Sequence, residues 1–228
     1  MALFERENDE FRPDLRSQAL SVIAIENDFV VNVYDKLASV YDLIFGPILH
    51  PGRLVALERI GINPGDRVLE VGVGTGKNMP FYPAGATVSA VDISPRMLAR
   101  ATHRAARLRL DVRLHLMDAQ ALAFPDAAFE AAVATFVFCS VPDPVQGLRE
   151  LRRVVRPGGH LYLLEHMRAE HRVLGRVMDW LDPVVVRVLG AHISRRTVDN
   201  VRAAGLEIDT LEDLAPLGMV RLIVARVP

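Results

Sequence analysis

VLEVGVGTGKNMPFYP, residues 68–83, decides how the rest of the chain is read. A short apolar run carries one acid, Glu70, and then breaks into three glycines spaced by two, Gly72, Gly74 and Gly76. Glycine lacks a Cβ and reaches positive φ without strain, so such a turn lets backbone pass very close to something. Two phosphate-binding patterns test what that something is. The dinucleotide fingerprint G-x-G-x-x-G fits Gly72 and Gly74 but meets Lys77 where the third glycine belongs. The Walker pattern G-x-x-x-x-G-K-[ST] meets Asn78 after Gly76-Lys77, and Val71 at its first glycine. Both fail on a required residue.

Outward from the loop, short apolar runs alternate with helical patterns. Strands are expected at Arg67–Val71, Thr87–Val91, Val112–Leu116, Phe129–Phe136 and Gly159–Glu165. Between them, Ser94 and Pro95 open a helix as N-cap and first helical residue. An amphipathic helix over 143–155 is stopped by RPGG. A helical stretch near 172–189, a helix in SRRTVDNVRAAG and strands near 206–211 and 219–227 follow; the last two are close enough to form an antiparallel edge pair. Strands alternating with helices predict an α/β fold with a Rossmann-like, doubly wound, mostly parallel seven-stranded sheet. Before it, Val30, Val33, Tyr34, Leu37, Val40 and Tyr41 recur at helical spacing. Residues 1–60 are therefore assigned to an N-terminal helical lid and 61–228 to the α/β domain, with a helical cap around 172–196.

Composition narrows the classes. The 228 residues are 50% hydrophobic and 24% charged, which suits one globular domain. A net charge of −1 argues against a nucleic-acid partner. Cys139 is the only cysteine, so neither an intrachain disulfide nor a cysteine zinc cluster can form, and no metal site is assigned. The N-terminus is charged from residue 5 and does not resemble a signal peptide, and no run is long enough for a membrane span.

In open α/β sheets ligands sit beyond the carboxyl ends of the strands. Asp92 ends the second strand about twenty residues past the loop, where a carboxylate can accept hydrogen bonds from both hydroxyls of a ribose. A ribose reader without a pyrophosphate cradle suits a nucleoside ligand without phosphates, S-adenosylmethionine.

From about Gly65 to Glu165 the sequence resembles the class I S-adenosylmethionine-dependent methyltransferases. VLEVGVGTG, AVDISPRML, MDAQALAFPDAAFEAAV and LRELRRVVRPGGHLYLLE stand in the family's order. The resemblance implies Glu70 near the amino end of the methionine moiety and Gly72, Gly74 and Gly76 against the cofactor. It implies Asp92 on the ribose, Ile93 and Met97 flanking the adenine, Asp118 and Ala119 on the adenine edge, and Phe136 to Ser140 on the methyl side.

Three features point to the acceptor. Tyr34 and Tyr41 are seven apart in YDKLASVYDLIFG, with core aromatics as the plain alternative. His166 ends the fifth strand, with a solvent-facing histidine as its alternative. The 172–196 segment interleaves Trp180 and aliphatics with arginines, as either a cap over a greasy acceptor or a surface against an anionic membrane. The lid and core resemble bacterial phospholipid N-methyltransferases and quinone-biosynthesis methyltransferases; FYP, FCSVPDP and LEHM are also similar to mammalian thiol S-methyltransferases. The expectation is methylation of phosphatidylethanolamine, with Tyr41, Tyr34 or His166 assisting proton loss. The partner is then a phospholipid or another amphiphilic acceptor, and the place a cytoplasmic protein peripheral on the inner face of the membrane. A protein that binds S-adenosylmethionine without catalysis is the rival reading.

Overall fold

Seven strands lie in the order β3-β2-β1-β4-β5-β7-β6. The computed structural model describes residues 27–38, 53, 60–82 and 84–228. The strands are β1 (Arg67–Val71), β2 (Thr87–Asp92), β3 (Val112–Leu116), β4 (Phe129–Thr135), β5 (Val155–His166), β6 (Glu207–Asp213) and β7 (Val220–Arg226). Pairs among β1 to β5 are parallel, and β7 is antiparallel to both β5 and β6. The expected antiparallel pair is present, but the reversed strand β7 lies one place in from the edge and β6 forms the edge.

The strand order reverses between β1 and β4. After β1 the chain steps outward to β2 and β3, then returns to the other side of β1. That reversal parts the two sets of connections and leaves a crevice above β1 and β4.

Both faces of the sheet are covered, so its strands read as nearly unbroken apolar runs. On one face Leu69, Val71, Ala132, Ala134, Leu161 and Leu163 form a core with Leu148 and Leu151 of α3 (Pro144–Val154) and Val201 of α5 (Thr197–Ala203). On the other, Val68, Val88, Ala131 and Val133 pack together, and Ala90 meets Ala101 and Ala105 of α2 (Pro95–Leu108).

The helices begin as their caps dictate. Ser94 Oγ accepts from the Met97 amide at 3.1 Å, and Asp143 Oδ1 accepts from the Gln146 amide at 2.9 Å. Each such cap contributes about 1 kcal/mol. Both helices carry proline in the first turn, where no intrahelical N–H is needed.

RPGG follows the end of α3 as expected, but the fifth strand begins at Val155 rather than at the expected Gly159. Residues 156–159 continue extended within β5, and the offset appears as a register shift between Phe129 and Ala131 of β4. Gly159 is required there: a Cβ would lie 2.6 Å from the Glu130 carbonyl oxygen.

Outside the sheet, α1 spans 27–37 and α4 spans Arg172–Leu189. Of the lid assigned to 1–60, only residues 27–38, 53 and 60 are among those described, and Tyr41 lies outside them. Among the described residues no helix is long and apolar enough to cross a membrane.

Candidate active site

A cleft open to solvent occupies the crevice above β1 and β4. Four strand-end segments line it: 71–75 with Lys77, 91–93, 117–119, and residues from 135 to 142. Asn27, Val30 and Tyr34 of α1 line it from above, together with Arg53.

The three glycines have three different reasons. Gly72 has φ +66°, and a Cβ there would lie 2.4 Å from Val137 Cγ2. It is needed because the loop after β4 presses against it. Gly76 packs against α2 and its approach: a Cβ would meet Met79 Sδ at 2.8 Å. Gly74, at φ +55°, has only the Gly72 carbonyl oxygen within 4 Å of its Cβ position. Gly74 therefore leaves bare backbone toward the cleft it lines, as a closely approaching ligand requires.

Asp92 sits at the end of β2 with its carboxylate fixed by two amides. Oδ2 accepts from Gly74 N at 2.8 Å and Oδ1 from Ser94 N at 2.9 Å. Burial raises its pKa, while these amides oppose the rise. Asp118, beyond β3, accepts from Gln120 N at 2.9 Å and from Asn27 Nδ2 at 2.7 Å. Two carboxylates thus line one end of the cleft, with Ile93, Met97 and Met117 as apolar neighbours. The cations lining the cleft among the described residues are Arg53 and Lys77. The Arg53 guanidinium lies 6.0 Å from the centre of the Phe136 ring.

Glu70 is turned away from this lining. Its face of the sheet also carries Val68 and Val133, and its carboxylate accepts from Asn78 Nδ2 at 2.7 Å and from the Tyr82 hydroxyl. Burial pushes its pKa up to about 7, opposed by Tyr82, Arg53 and Asn78. Asn78 Nδ2 also reaches Thr135 Oγ1 at 3.1 Å, so one amide ties β1 to β4 beneath the cleft.

The loop after β4 begins at Phe136, which adopts φ +59°, a costly conformation for a residue with a Cβ. It is held from below by Glu165. Glu165 Oε1 accepts from the Val137 and Phe138 amides, both at 3.0 Å. Glu165 is fully buried, and burial pushes its pKa up to about 7. The single thiol, on buried Cys139, is pushed up to about 12 by burial and stays neutral.

α1 is latched across the cleft at three points. Asn27 bonds Asp118, the Tyr34 hydroxyl lies 2.6 Å from Ser140 Oγ, and Ser94 Oγ donates to Asp35 Oδ1 at 2.5 Å. Asn27, Val30 and Tyr34 are three and four apart, so one helix face meets the cleft.

A family model described as a methyltransferase domain matches residues 69–163. A phosphatidylethanolamine N-methyltransferase of Cereibacter sphaeroides is 36% identical over 155 residues, 67% of this chain and 75% of its own. A demethylmenaquinone methyltransferase of Renibacterium salmoninarum is 33% identical over 182 residues, 77% of this chain and 73% of its own. The chain belongs to the S-adenosylmethionine-dependent methyltransferases. A SAM-dependent methyltransferase from Aquifex aeolicus has the same fold, with a TM-score of 0.66 at 20% identity over 85% of this chain and 98% of that one.

The cofactor of this methyltransferase is S-adenosylmethionine, and the residues present fit it. Asp92 and Asp118 would provide acceptors for its nucleoside, Gly74 leaves an open approach, and Arg53 and Lys77 bring positive charge to the cleft. Of the residues expected to hold it, Gly72, Gly74, Asp92, Ile93, Met97, Asp118, Ala119, Phe136 and Ser140 line the cleft; Glu70 and Gly76 do not.

Of the residues expected to serve the acceptor, Tyr34 lines the cleft. His166 does not line it: half-buried at the end of β5, it is paired in register with Val220, and burial lowers its pKa. The sequence reading missed Asn27, Arg53 and Asn78. Asn78 was legible as a small amide beside the glycines, but its partner Thr135 is 57 positions away.

Proposed function

We propose that this methyltransferase methylates the amine of phosphatidylethanolamine and of its partly methylated products. The observation that carries this is two paired hydroxyls and two aromatic rings lining one cleft. The Tyr34 and Ser140 oxygens are 2.6 Å apart, and Tyr34 and Phe136 line the same cleft. The oxygens can accept from an amine nitrogen and orient its lone pair. The ring faces suit a nitrogen that gains positive charge with each methyl group, at about 0.5–2 kcal/mol per contact. The phosphatidylethanolamine N-methyltransferase relative supports the same acceptor.

S-adenosylmethionine supplies a methyl group on a sulfonium; as the amine nitrogen bonds that carbon, the C–S bond breaks and a neutral thioether leaves. The chain's own residues align and dry the site, which is where most of the acceleration in such a displacement arises. Asp92 takes the ribose hydroxyls, Asp118 and the Ala119 segment the adenine edge, and Arg53 the methionine carboxylate. The incoming amine is protonated near neutrality. Partial desolvation under α1 lowers its pKa, and the Tyr34 oxygen relays the proton outward through Ser140.

The demethylmenaquinone methyltransferase relative, aligned over 77% of this chain, supports a second reading in which the acceptor is a quinol ring carbon. Transfer of label from methyl-labelled S-adenosylmethionine decides between them, with phosphatidylethanolamine vesicles, demethylated quinol and a small thiol offered separately. Label in the lipid upholds the first reading. Label only in quinol or thiol removes it while keeping the cofactor assignments.

A further inference from the structure

Twelve large hydrophobic side chains are exposed among the described residues, and six of them belong to α4: Val173, Val177, Trp180, Leu181, Val184 and Val188. Five of these follow one another at intervals of four, three, four and four, which places them on one stripe of the helix. The stripe lies opposite the buried face, which carries Gly175, Met178 and Asp182. α4 therefore has an inner face packed on the domain and a second apolar face turned outward. Trp180 is 78% exposed at its centre. Isolated exposed aliphatics are ordinary, but a continuous apolar helix face marks a surface that meets another apolar medium.

Charge identifies that medium. Arg172, Arg176 and Arg187 are exposed beside the stripe. The acids of the helix do not offset them: Asp179 is held by Arg168 at 2.8 Å, and Asp182 is turned inward to the amides of Ile193 and Ser194 at 2.7 and 3.0 Å. A second copy docked by the same face would bring like charges together. An anionic bilayer complements them.

The helix is also fixed to the cleft. A Cβ on its capping Gly190 would lie 3.2 Å from Val33 and 3.7 Å from the Tyr34 ring, and His192 N donates to the Cys139 carbonyl at 2.8 Å.

We infer that the outer face of α4 seats this methyltransferase on an anionic phospholipid bilayer, with Trp180 at the boundary between headgroups and acyl chains and the arginines on lipid phosphates. The Tyr34 rim of the cleft is then held at the lipid surface. This goes beyond the acceptor assignment, because phospholipid and lipid-soluble quinol are reached from the same surface.

Trp180 is the only tryptophan, so its fluorescence reports the contact directly. The full chain is titrated with phosphatidylcholine vesicles, with and without phosphatidylglycerol. The expected result is a blue shift, quenching by brominated acyl chains and salt-sensitive binding, all dependent on phosphatidylglycerol. Val184→Glu should weaken vesicle binding by about tenfold or more while leaving cofactor affinity unchanged. Reversing Arg176 to Glu should cost roughly fivefold or more on anionic vesicles alone. Emission that ignores phosphatidylglycerol, or a Val184→Glu variant that binds like the parent, overturns the inference. So does emission already blue-shifted without vesicles, which would mean that another segment or a second copy covers the stripe. Vesicle binding without lipid methylation would instead overturn only the acceptor assignment.

Discussion

The Tyr34 hydroxyl and Ser140 Oγ, 106 positions apart in sequence, meet at 2.6 Å across the mouth of the cleft. One belongs to the helix that covers the site, the other to the loop that ends β4. Their contact joins the covering helix to the loop after β4 at the cleft that both residues line. If Tyr34 relays the proton, Tyr34→Phe should lower turnover by about a hundredfold or more. Cofactor affinity by titration calorimetry should stay within about twofold, because the ring and α1 remain. Equal losses in turnover and cofactor affinity would mean that Tyr34 only fastens the helix.

Asp92 is oriented by Gly74 and Ser94 amides, so its remaining lone pairs point in fixed directions. A hydrogen bond to a charged acceptor contributes roughly 1.5–3 kcal/mol. Asp92→Asn should therefore raise the dissociation constant for S-adenosylmethionine by about tenfold to a hundredfold, with turnover at saturating cofactor much less affected. Unchanged cofactor affinity would remove Asp92 from the ribose site.

Gly72 and Gly74 separate fold from function within three residues. Gly72→Ala drives a Cβ into Val137, 2.4 Å away, and should destabilise the domain by about 1–3 kcal/mol in urea unfolding. Trimming the partner with Val137→Ala should recover part of the loss. Gly74→Ala carries the same cost of a Cβ at positive φ as Gly72→Ala but meets no close side chain, and its methyl group projects toward the cleft floor. Its unfolding should change less, and its cofactor affinity should collapse. The reverse pattern would mean that the loop is not the cofactor floor.

Much of this was legible in the sequence because the signals are local. Strand ends located Asp92, Asp118 and the 136–140 segment, and the caps Ser94 and Asp143 are set by residues within three positions. The glycine spacing predicted close approach, but not that only Gly74 of the three leaves its Cβ side open. What the side chains touch across the fold was not legible. Asn27 reaches Asp118 over 91 positions, and no spacing rule spans that distance. Glu165 and His166 show the same limit more sharply. Neighbours on a strand point to opposite faces, so only one could serve the β4 loop. Periodicity alone does not say which, and the structure gives that place to Glu165.

Glu165 should also leave a pH signature on stability. Its pKa is about 7 in the folded chain, well above the ordinary glutamate value of 4.5, because burial opposes its charge. The folded state therefore holds the proton more tightly than the unfolded state. The stability this contributes is full below the unfolded value and is lost as pH rises through about 7. Glu70 titrates in the same sense. Glu165→Gln cannot ionise, and its carbonyl can still accept from the Val137 and Phe138 amides. The stability of the variant relative to the parent should accordingly grow between pH 5 and pH 8, by on the order of a few kcal/mol. Urea unfolding across that range measures it. A difference that stays flat with pH would mean that Glu165 is ionised throughout and that the β4 loop rests on a full carboxylate charge.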